Sequence, residues 1–352
     1  MPDGTLGVAL VGHSFMGATH SHAWRTAPRV ADLPLGIDMA VVAGRDAGRA
    51  KAAAAQLGWR DSTDDWRSVL ERDDVDLVDI VTPGDSHCDI AVAALEAGKH
   101  VLCEKPLANT VEEAQRMADA ARAAATDGVL SMVGFNYRRV PAITLARRLV
   151  ADGRLGEIRH VRAQYLQDWI TDPEFPLVWR LQAERAGSGA LGDIGAHIID
   201  LSQFVTGSRI TGLTGLTETF VKQRPLPAES AGLSAGAGAD GATGEVTVDD
   251  AALFLTRFAN GALGTFEATR FASGRKNAIR LEVNGSLGSI AFDFEQMNEL
   301  WFHDHTLPAA EAGFRRIQTS EPDHPYAGLL VPARPRGGLR RGVRPPGRRP
   351  GG

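Results

Sequence analysis

Cysteine is scarce in this chain of 352 residues, which contains only Cys88 and Cys103. Two cysteines cannot form the disulfide framework of a small secreted domain, so a reducing compartment, the cytoplasm, is expected. No pair of Cys or His residues has the spacing of a closed zinc site, and no metal is predicted. The histidines near the end, His303, His305 and His324, are scattered, and we expect them at the surface.

Long apolar runs are also missing. Gly, Asp or Arg interrupts each hydrophobic stretch well before the roughly 20 residues that a membrane-spanning helix needs. Residues 1–5 contain no charged leader before an apolar run, so no signal peptide is predicted. Hydrophobic residues make up 43% of the chain and charged residues 23%, which is typical of a globular protein, and the length predicts about two domains.

Acidic residues are absent from the end of the chain. Residues 331–352 contain 7 Arg, 6 Gly and 5 Pro. The rest of the chain then has 31 of the 38 basic residues against all 43 acidic ones. An acidic body binds nucleic acid poorly, because neutralising phosphates needs clustered Lys and Arg, so no nucleic-acid partner is predicted. We interpret the tail as disordered or as GC-rich DNA translated in a shifted reading frame.

The first part of the chain alternates short β-branched runs with Ala-rich segments of helical length. This order implies right-handed crossovers and a doubly wound parallel sheet, which we place at residues 1–135. The nearly continuous apolar runs fit strands that are covered on both faces. Strands are predicted at 7–12, 39–43, 77–81, 100–103 and 129–135, and helices at 15–26, 47–57, 90–97 and 111–125.

Residues 136–330 are predicted to form an α+β domain with a large open, mostly antiparallel sheet. The short connections Asn260-Gly261 and Asn284-Gly285 suit hairpins. Residues 228–244, which are almost all Ala, Gly and Ser, are predicted to be a flexible insertion. Helices are predicted at 141–152 and 191–205, and strands at 157–169, 251–258, 262–271, 278–284, 289–294 and 299–303.

A glycine-containing turn follows the first predicted strand. Gly12 and Gly17 match the first and last positions of the pattern G-x-G-x-x-G, and Ser14 replaces the middle glycine. The first glycine allows a tight turn, the last allows close packing of helix on strand, and the helix N-terminus receives a pyrophosphate. We therefore predict that Gly12, Ser14, Phe15 and Met16 bind a dinucleotide. The alternative is a purely structural turn.

The second predicted strand is followed by Gly44, Arg45 and Asp46. An acidic residue at this point bonds the ribose 2′-hydroxyl of NAD, whereas an arginine accommodates the 2′-phosphate of NADP. Gly44 leaves the acid position empty and Arg45 follows it, which favours NADP slightly. Asp46 keeps NAD open as the cofactor, and a solvated pair of Arg45 and Asp46 is the structural alternative.

Two further loops are expected at the carboxyl ends of strands, where ligands bind in open α/β sheets. Thr82 and Pro83 form one, with His87 five residues after Thr82, and Glu104 and Lys105 form the other. A lysine at the end of a buried strand is costly unless it is used. There it can reach the nicotinamide ribose and a substrate oxygen. The alternatives are an ordinary helix N-terminal position for His87 and a structural pair of Glu104 and Lys105.

The helix predicted at 191–205 contains Asp193, His197 and Asp200. At 100° per residue these three lie within about 60° of one another, away from the apolar stripe. A histidine ordinarily titrates near neutrality, which suits proton transfer, and Asp193 one turn earlier can orient it or bond a neighbouring hydroxyl. The alternative is an acid favoured by the helix dipole and a histidine satisfied in the core.

Together these motifs resemble the Gfo/Idh/MocA oxidoreductases, the family of glucose–fructose oxidoreductase and inositol dehydrogenase, over about residues 6–326. The pairing of Glu-Lys-Pro with Asp-x-x-x-His is the specific signal. The resemblance implies a Rossmann domain followed by a sheet used for substrate binding and oligomer contacts. The segments that carry it are Gly12-x-Ser14-x-x-Gly17, Thr82-Pro83 with His87, Glu104-Lys105-Pro106 and Gly192-Asp193-Ile194-Gly195-x-His197.

Some segments resemble the levoglucosan dehydrogenase branch of this family in more detail. The chain also departs from the family pattern at Ser14, at Gly84 where Asn often stands, and at Gly44 in the acid position. The first two departures concern cofactor affinity, and the third concerns cofactor identity. The segments similar to the branch are 135–139, 165–169, 179–180 and 187–193.

The resemblance implies an NAD(P)-dependent dehydrogenase that oxidises a secondary hydroxyl of a sugar, anhydrosugar or cyclitol. Lys105, Asp193 and His197 carry over as the catalytic set. In this reading His197 is the general base, Lys105 stabilises the alkoxide, and Asp193 bonds an adjacent hydroxyl or fixes the histidine tautomer. A homo-oligomer, either a dimer or a tetramer, is also expected.

The sugar pocket is predicted to contain Tyr137, Gln167, Trp169 and Trp179, together with Asp193 and His197 of the catalytic set. Aromatic rings stack on the C–H faces of sugars and amides bond hydroxyls. Packing between the domains is the alternative for the four pocket residues.

Two other functions stay open at this point. One is a non-catalytic regulator that binds nucleotide and sugar on the same fold. The presence of both Lys105 and His197 argues against it, because a sensor needs neither. The other is an enzyme that uses the cofactor to cleave a glycoside without net redox change. Absorbance of the reduced nicotinamide with a panel of polyols separates the dehydrogenase from both.

Overall fold

The computed structural model describes residues 4–227 and 241–326. Its first part is a six-stranded sheet in which every pair of neighbours is parallel. The spatial order is β3-β2-β1-β4-β5-β6, the order of a doubly wound dinucleotide-binding fold. The strands are β1 (Thr5–Val11), β2 (Gly36–Ala43), β3 (Asp61–Thr63), β4 (Leu77–Ile80), β5 (His100–Cys103) and β6 (Ser131–Val133).

Helices cover the faces of this sheet, and local sequence signals fix their ends. Asp46 caps one helix by accepting a hydrogen bond from the Arg49 amide at 2.8 Å, and Gly58 ends it in the left-handed conformation. Thr110 and Glu113 form a capping box on another. The helices are α1 (Phe15–Val30), α2 (Ala47–Leu57), α3 (His87–Glu96) and α4 (Val111–Ala125).

The second part of the chain begins with α5 (Pro141–Ala151) and contains an eight-stranded sheet. Its order is β16-β15-β14-β13-β7-β12-β11-β8, and only the pair β7–β12 is parallel. The predicted fold class is therefore confirmed. The other elements are β7 (Ile158–Leu166), α6 (Ala183–Ala186), α7 (Ala196–Thr206), β8 (Ile210–Glu218), β9 (Gln223–Pro225), β10 (Thr243–Glu245), β11 (Ala251–Phe258), β12 (Leu263–Thr269), β13 (Ala278–Gly285), β14 (Gly288–Asp293), β15 (Glu299–Asp304) and β16 (Arg315–Gln318).

The two faces of the eight-stranded sheet differ. Helices α5 and α7 cover one face, where Ile143 and Ile198 pack into a core with Phe258 and Phe302. Burial alternates along β11, so every second residue of that strand points away from this core. The opposite face carries exposed leucines on β8, β11 and β12. The chain therefore leaves one side of this sheet uncovered by its described helices.

Two connections differ from the sequence-based expectation. Asn260-Gly261 does turn between β11 and β12, with Gly261 at φ +89°. Gly285, however, lies inside β13, where an added Cβ would stand 2.1 Å from the Leu155 carbonyl oxygen. The turn uses Ser286-Leu287, so this glycine serves a close backbone approach.

The predicted insertion and tail fall largely outside the described residues. This applies to 228–240 of the insertion and to all of 331–352. The end of the predicted insertion contributes to β10, which pairs with β9. Among residues 4–227 and 241–326, no helix combines the length and apolar character needed to cross a membrane.

Candidate active site

The glycine turn between β1 and α1 has the geometry of a phosphate-binding loop. Gly12 adopts φ +104°, and a Cβ there would lie 3.1 Å from the Val81 carbonyl. A Cβ on Gly17 would lie 2.5 Å from the Gly12 carbonyl oxygen. Ser14 precedes α1, and its side chain forms no capping hydrogen bond. The amides of the first turn of α1 are therefore left for an anion.

The other two residues predicted at this turn differ in exposure. Phe15 is exposed. Met16 is half-buried and packs against the core beneath the turn. The side chain of Phe15 is thus open to a cofactor, whereas that of Met16 is partly engaged in the core.

After β2, the imidazole of His13 occupies the space that an acidic side chain at position 44 would need. A Cβ on Gly44 would lie 2.4 Å from Nε2 of His13. Asp46 uses one carboxylate oxygen to cap α2, as described above. Arg45 is exposed at the same place. The end of β2 therefore presents an imidazole and a guanidinium where NAD-specific folds present a carboxylate.

His87 joins the two loops that were predicted to hold the cofactor. It is 1% exposed, and its Nε2 and Nδ1 lie 2.9 Å and 3.0 Å from the carbonyl oxygens of Thr82 and Pro106. Thr82 Oγ1 accepts a hydrogen bond from Ser86 Oγ at 2.8 Å, in the short turn that follows Pro83. The geometry of His87 favours its structural alternative, because both ring nitrogens face the protein's own backbone.

Glu104 is also turned inward. Its Oε1 faces His20 Nε2 at 3.1 Å, and its Oε2 accepts a hydrogen bond from the Lys105 amide at 3.0 Å. The Glu104 carboxylate therefore contacts His20 with one oxygen and the Lys105 main chain with the other.

Lys105 brings the two parts of the chain together. Its Nζ donates to the main-chain oxygen of Asp193 at 2.8 Å and lies 3.3 Å from Asp193 Oδ1. Arg270 approaches the other carboxylate oxygen at 3.9 Å. Burial would raise the pKa of Asp193, but Lys105, Arg270 and Arg180 outweigh it and lower that pKa to about 2. Asp193 is thus an anion held among cations.

His197 lies next to this pair in an aromatic enclosure. Its ring centroid is 4.7 Å from that of Tyr137, 5.9 Å from that of Tyr165 and 6.0 Å from that of Phe135. Its Nδ1 is buried without a hydrogen-bond partner among the described residues. Burial and then the charge of Lys105 lower the pKa of His197 to about 3, although Asp193 opposes this shift. The imidazole is therefore neutral at neutral pH.

A wide, π-helical turn, Leu191–Gly195, precedes α7 where the sequence predicted continuous α-helix. The Asp249 carboxylate holds its start by accepting from the amides of Gly189 and Leu191 at 2.7 Å and 2.8 Å. The Asp200 carboxylate accepts a hydrogen bond from Arg138, whereas the Asp193 carboxylate faces Lys105. The expected group of three polar residues is thus reduced to Asp193 and His197, because Arg138 holds the Asp200 carboxylate.

The predicted sugar-pocket residues form a hydrogen-bond network on β7 and beside it. Tyr137 and Tyr165 join their hydroxyls at 2.9 Å, and Tyr165 donates to Asn277 Oδ1 at 2.5 Å. Gln167 donates to the same oxygen at 3.0 Å and accepts from Trp169 Nε1 at 3.1 Å. Three of the four predicted residues, Tyr137, Gln167 and Trp169, therefore belong to one network.

Trp179 stands apart from this network in the described contacts. The guanidinium of Arg180 lies over its indole ring, 4.4 Å from the centroid. The charge of Arg180 contributes to the low pKa of Asp193, which links Trp179 to the site through its neighbour.

Sequence reasoning missed four residues of the site: Tyr165, Arg180, Arg270 and Asn277. Arg270 is fully buried and lies 5.4 Å from the Trp169 ring centroid. A cation at the end of the apolar strand β12 was a signal that could have identified it. Asn277 gave no signal in the sequence. Among the described residues, no group of three or more His, Cys, Asp and Glu side chains could hold a metal ion.

The strand order, the glycine turn and the lysine facing an aspartate and a histidine define a dinucleotide-dependent oxidoreductase. Residues 6–135 match the oxidoreductase family with NAD-binding Rossmann fold, and residues 143–291 match the GFO/IDH/MocA C-terminal domain. The chain belongs to the Gfo/Idh/MocA family of oxidoreductases.

Several relatives are similar over most of their length. Levoglucosan dehydrogenase of Pseudarthrobacter phenanthrenivorans is 43% identical over 332 residues, which cover 93% of this chain and 83% of the relative. A crystal structure of an oxidoreductase domain protein from Kribbella flavida is 64% identical, with a TM-score of 0.88, covering 93% of this chain and 84% of that chain. Levoglucosan dehydrogenase in complex with NADH and levoglucosan is 41% identical, with a TM-score of 0.86, covering 96% and 86%.

Proposed function

We propose that this protein is an NAD(P)-dependent dehydrogenase that oxidises a secondary hydroxyl of a sugar, anhydrosugar or cyclitol. The observation that carries the proposal is the contact of Lys105 with Asp193 beside a neutral His197. Anhydrosugars are the first candidates within this class, because levoglucosan dehydrogenase is similar over nearly the whole chain.

The residues at the glycine turn fit a dinucleotide. The crowded Gly12 and Gly17 allow the main chain to approach a pyrophosphate, and the first turn of α1 offers unpaired amides. Thr82 and Lys105, at the ends of neighbouring strands, would hold the nicotinamide end. Bound there, NAD(P) supplies the hydride acceptor.

In the proposed mechanism the protein's own residues handle the proton and the developing charge. His197 takes the hydroxyl proton at an imidazole nitrogen, and Lys105 stabilises the alkoxide as it forms. Negative charge on the substrate oxygen offsets the effect of Lys105 on His197 and strengthens the base when it is needed. Asp193 holds the Lys105 ammonium in place and accepts a hydrogen bond from an adjacent hydroxyl.

A substrate panel tests this function. Purified protein is mixed with anhydrosugars, aldoses and cyclitols and with NAD or NADP, and reduced nicotinamide is followed by absorbance. We expect turnover with at least one anhydrosugar or sugar. Binding of cofactor and sugar without reduction would instead identify a regulator. Release of a leaving group without net NAD(P)H would identify a glycoside-cleaving enzyme.

For the cofactor, we propose that discrimination between NAD and NADP is weak. No carboxylate takes the acid position at Gly44, which supports NADP, as does the exposed Arg45. The related levoglucosan dehydrogenase structure that contains NADH supports use of NAD.

We also propose a homo-oligomer whose contact is the uncovered face of the eight-stranded sheet. Leu216, Leu253, Leu255 and Leu263 are 50% to 79% exposed on β8, β11 and β12. Strand pairing places Leu216 directly opposite Leu253, so these side chains lie on the same face. An apolar patch of this kind is typical of a protein interface.

A cytoplasmic location is part of the proposal. Cys88 and Cys103 are both buried free thiols. Free thiols fit a reducing compartment.

A further inference from the structure

A cluster of four polar side chains lies within the first sheet and has no part in the proposed reaction. Its members are His20 and Trp24 of α1, Asp79 of β4 and Glu104 after β5. His20 Nδ1 lies 3.0 Å from both carboxylate oxygens of Asp79, and His20 Nε2 lies 3.1 Å from Glu104 Oε1. Trp24 Nε1 donates to Asp79 Oδ2 at 2.7 Å. The imidazole of His20 therefore bridges two carboxylates from different strands.

A contribution to the stability of the folded protein does not by itself explain why this buried polar cluster is present. Asp79 is fully buried in a parallel strand, where a carboxylate costs free energy unless it is paired and hydrogen-bonded. Replacing a buried ion pair by apolar side chains of similar volume is often neutral or stabilising. A buried His20–Asp79 pair is thus a costly way to fill this space, which suggests that the pair positions another group.

Glu104 connects the cluster to the catalytic lysine. Its second oxygen, Oε2, accepts the Lys105 main-chain N–H at 3.0 Å. The carboxylate that His20 holds on one side thus holds the main chain of Lys105 on the other. From this main chain the Lys105 side chain extends to Asp193, where its Nζ meets the carbonyl oxygen at 2.8 Å. A rotation of the Glu104 side chain would break this hydrogen bond and could shift the Lys105 main chain from which the lysine side chain extends.

A positive charge on His20 strengthens its hydrogen bonds to Asp79 and Glu104. Both ring nitrogens face carboxylates, so the imidazole donates twice and carries a positive charge. Burial would lower the pKa of His20, but the hydrogen bonds to Asp79 and Glu104 outweigh it and raise that pKa to about 10. One cation then balances two anions, and no other Lys or Arg pairs with either carboxylate among the described residues.

We propose that His20 is a positioning residue for the reaction: by holding Glu104 against Asp79, it fixes the main chain at Lys105 and the approach of its ammonium group to the substrate oxygen. This inference rests on the proposed function of Lys105. The helix that carries His20 also begins at the glycine turn, so α1 joins the pyrophosphate site to the lysine through this cluster.

The test is a double-mutant cycle on kcat with His20→Gln, Lys105→Ala and the double variant. We expect His20→Gln to lower kcat by roughly 10- to 100-fold, because a small displacement of a catalytic group costs about this much. In the Lys105→Ala background the same change should cost less than about twofold, since the residue it positions is gone. His22→Gln, an exposed histidine on the same helix, is the matched control and should leave kcat unchanged.

The outcomes separate this inference from the proposed function. If Lys105→Ala keeps full turnover, the function assigned to Lys105 fails. If Lys105→Ala is impaired but His20→Gln costs the same factor in both backgrounds, or costs nothing, His20 has only a structural role and the inference is wrong. Should His20→Gln fail to fold, Glu104→Gln takes its place in the cycle, because it keeps one oxygen for the Lys105 amide and removes the charge that His20 holds.

Discussion

At the scale of single residues, the charges around Asp193 decide which groups of the site are ionised. Three cations keep its carboxylate charged, although burial acts in the opposite direction. Burial, and then the charge of the same Lys105, disfavour a proton on His197. Burial and the surrounding cations together thus leave a neutral imidazole beside a charged carboxylate.

Replacing this lysine gives the most direct prediction. Lys105→Ala should lower kcat by at least about 100-fold, because the stabilisation of a developing oxyanion is lost. Binding of NADH, followed by its fluorescence, should change by less than about threefold. Equal turnover of the variant and the parent protein would refute the assignment.

Two departures from the family pattern have explanations in their neighbours. Gly44 stands where His13 fills the space, as described above. Gly84 packs against Asn109, whose Oδ1 would lie 2.5 Å from an added Cβ. Each glycine therefore leaves room for a side chain that is distant in the sequence.

The absence of an acidic side chain at Gly44 predicts the cofactor preference. For the parent protein we expect the two values of kcat/KM for NAD and NADP to lie within about tenfold of each other. His13→Ala combined with Gly44→Asp should shift that ratio towards NAD by at least about tenfold. Gly44→Asp alone should weaken both cofactors, because the new Cβ would collide with His13. Exclusion of NADP by the parent protein would contradict the proposal.

At the scale of elements, apolar pattern located the strands that have a buried face and missed those that do not. β8 was missed because all but the first of its residues are exposed, so no alternation is present. β9 and β16 were missed because each has only three or four residues, too few for an alternating pattern to be recognised. The wide turn before α7 was also missed, since it depends on Asp249 more than 50 residues away.

The join between β1 and α1 yields a prediction on one glycine. Gly→Ala in a helix is ordinarily stabilising by up to about 1 kcal/mol. Gly17→Ala should instead destabilise by about 1–3 kcal/mol and raise the cofactor KM, because its Cβ would lie 2.5 Å from the Gly12 carbonyl oxygen. Gly48→Ala, in the first turn of α2 with its nearest neighbouring atom at 3.4 Å, is the matched helical control and should not be destabilised by more than about 0.5 kcal/mol. Urea unfolding measures both, and equal stability of the two variants would disprove the packing argument.

At the scale of the whole molecule, the site exists only where the two parts of the chain meet. Lys105 and Asp193 are 88 residues apart, and their contact brings together the residues that we propose as the catalytic set. The division of the chain at residues 135 and 136 stays a prediction, as does the oligomeric state.

The oligomer is testable on the uncovered sheet face. Leu253→Asp should convert the assembly to monomers in light scattering, because a carboxylate would be buried in an apolar contact. Val111→Asp, which places the same charge at an exposed position in the first turn of α4, should leave the mass unchanged. A monomeric parent protein, or an intact assembly in the Leu253 variant, would show that this face is not the contact.

The pH dependence of stability follows from His20. Its pKa is about 10 in the folded protein against 6.5 as the ordinary value, so the folded state binds the proton more tightly. The stabilisation is complete below pH 6.5 and is lost as pH rises towards 10. Tm should therefore fall between pH 7 and 10 in the parent and in His22→Gln, and fall less in His20→Gln. A parallel decline in all three proteins would exclude His20 as the cause.

The sequence by itself determined the fold class, the family and the location of the main motifs. These depend on local periodicity and on residues that lie close together in the chain, such as Glu104-Lys105-Pro106. The tertiary structure decided what each polar side chain faces. It turned Glu104 and His87 towards the protein, paired Asp200 with Arg138, and placed Arg270 and Asn277 beside the candidate site. The physical reason is that the partners of a buried polar group come from distant segments, and only packing brings them within hydrogen-bond distance.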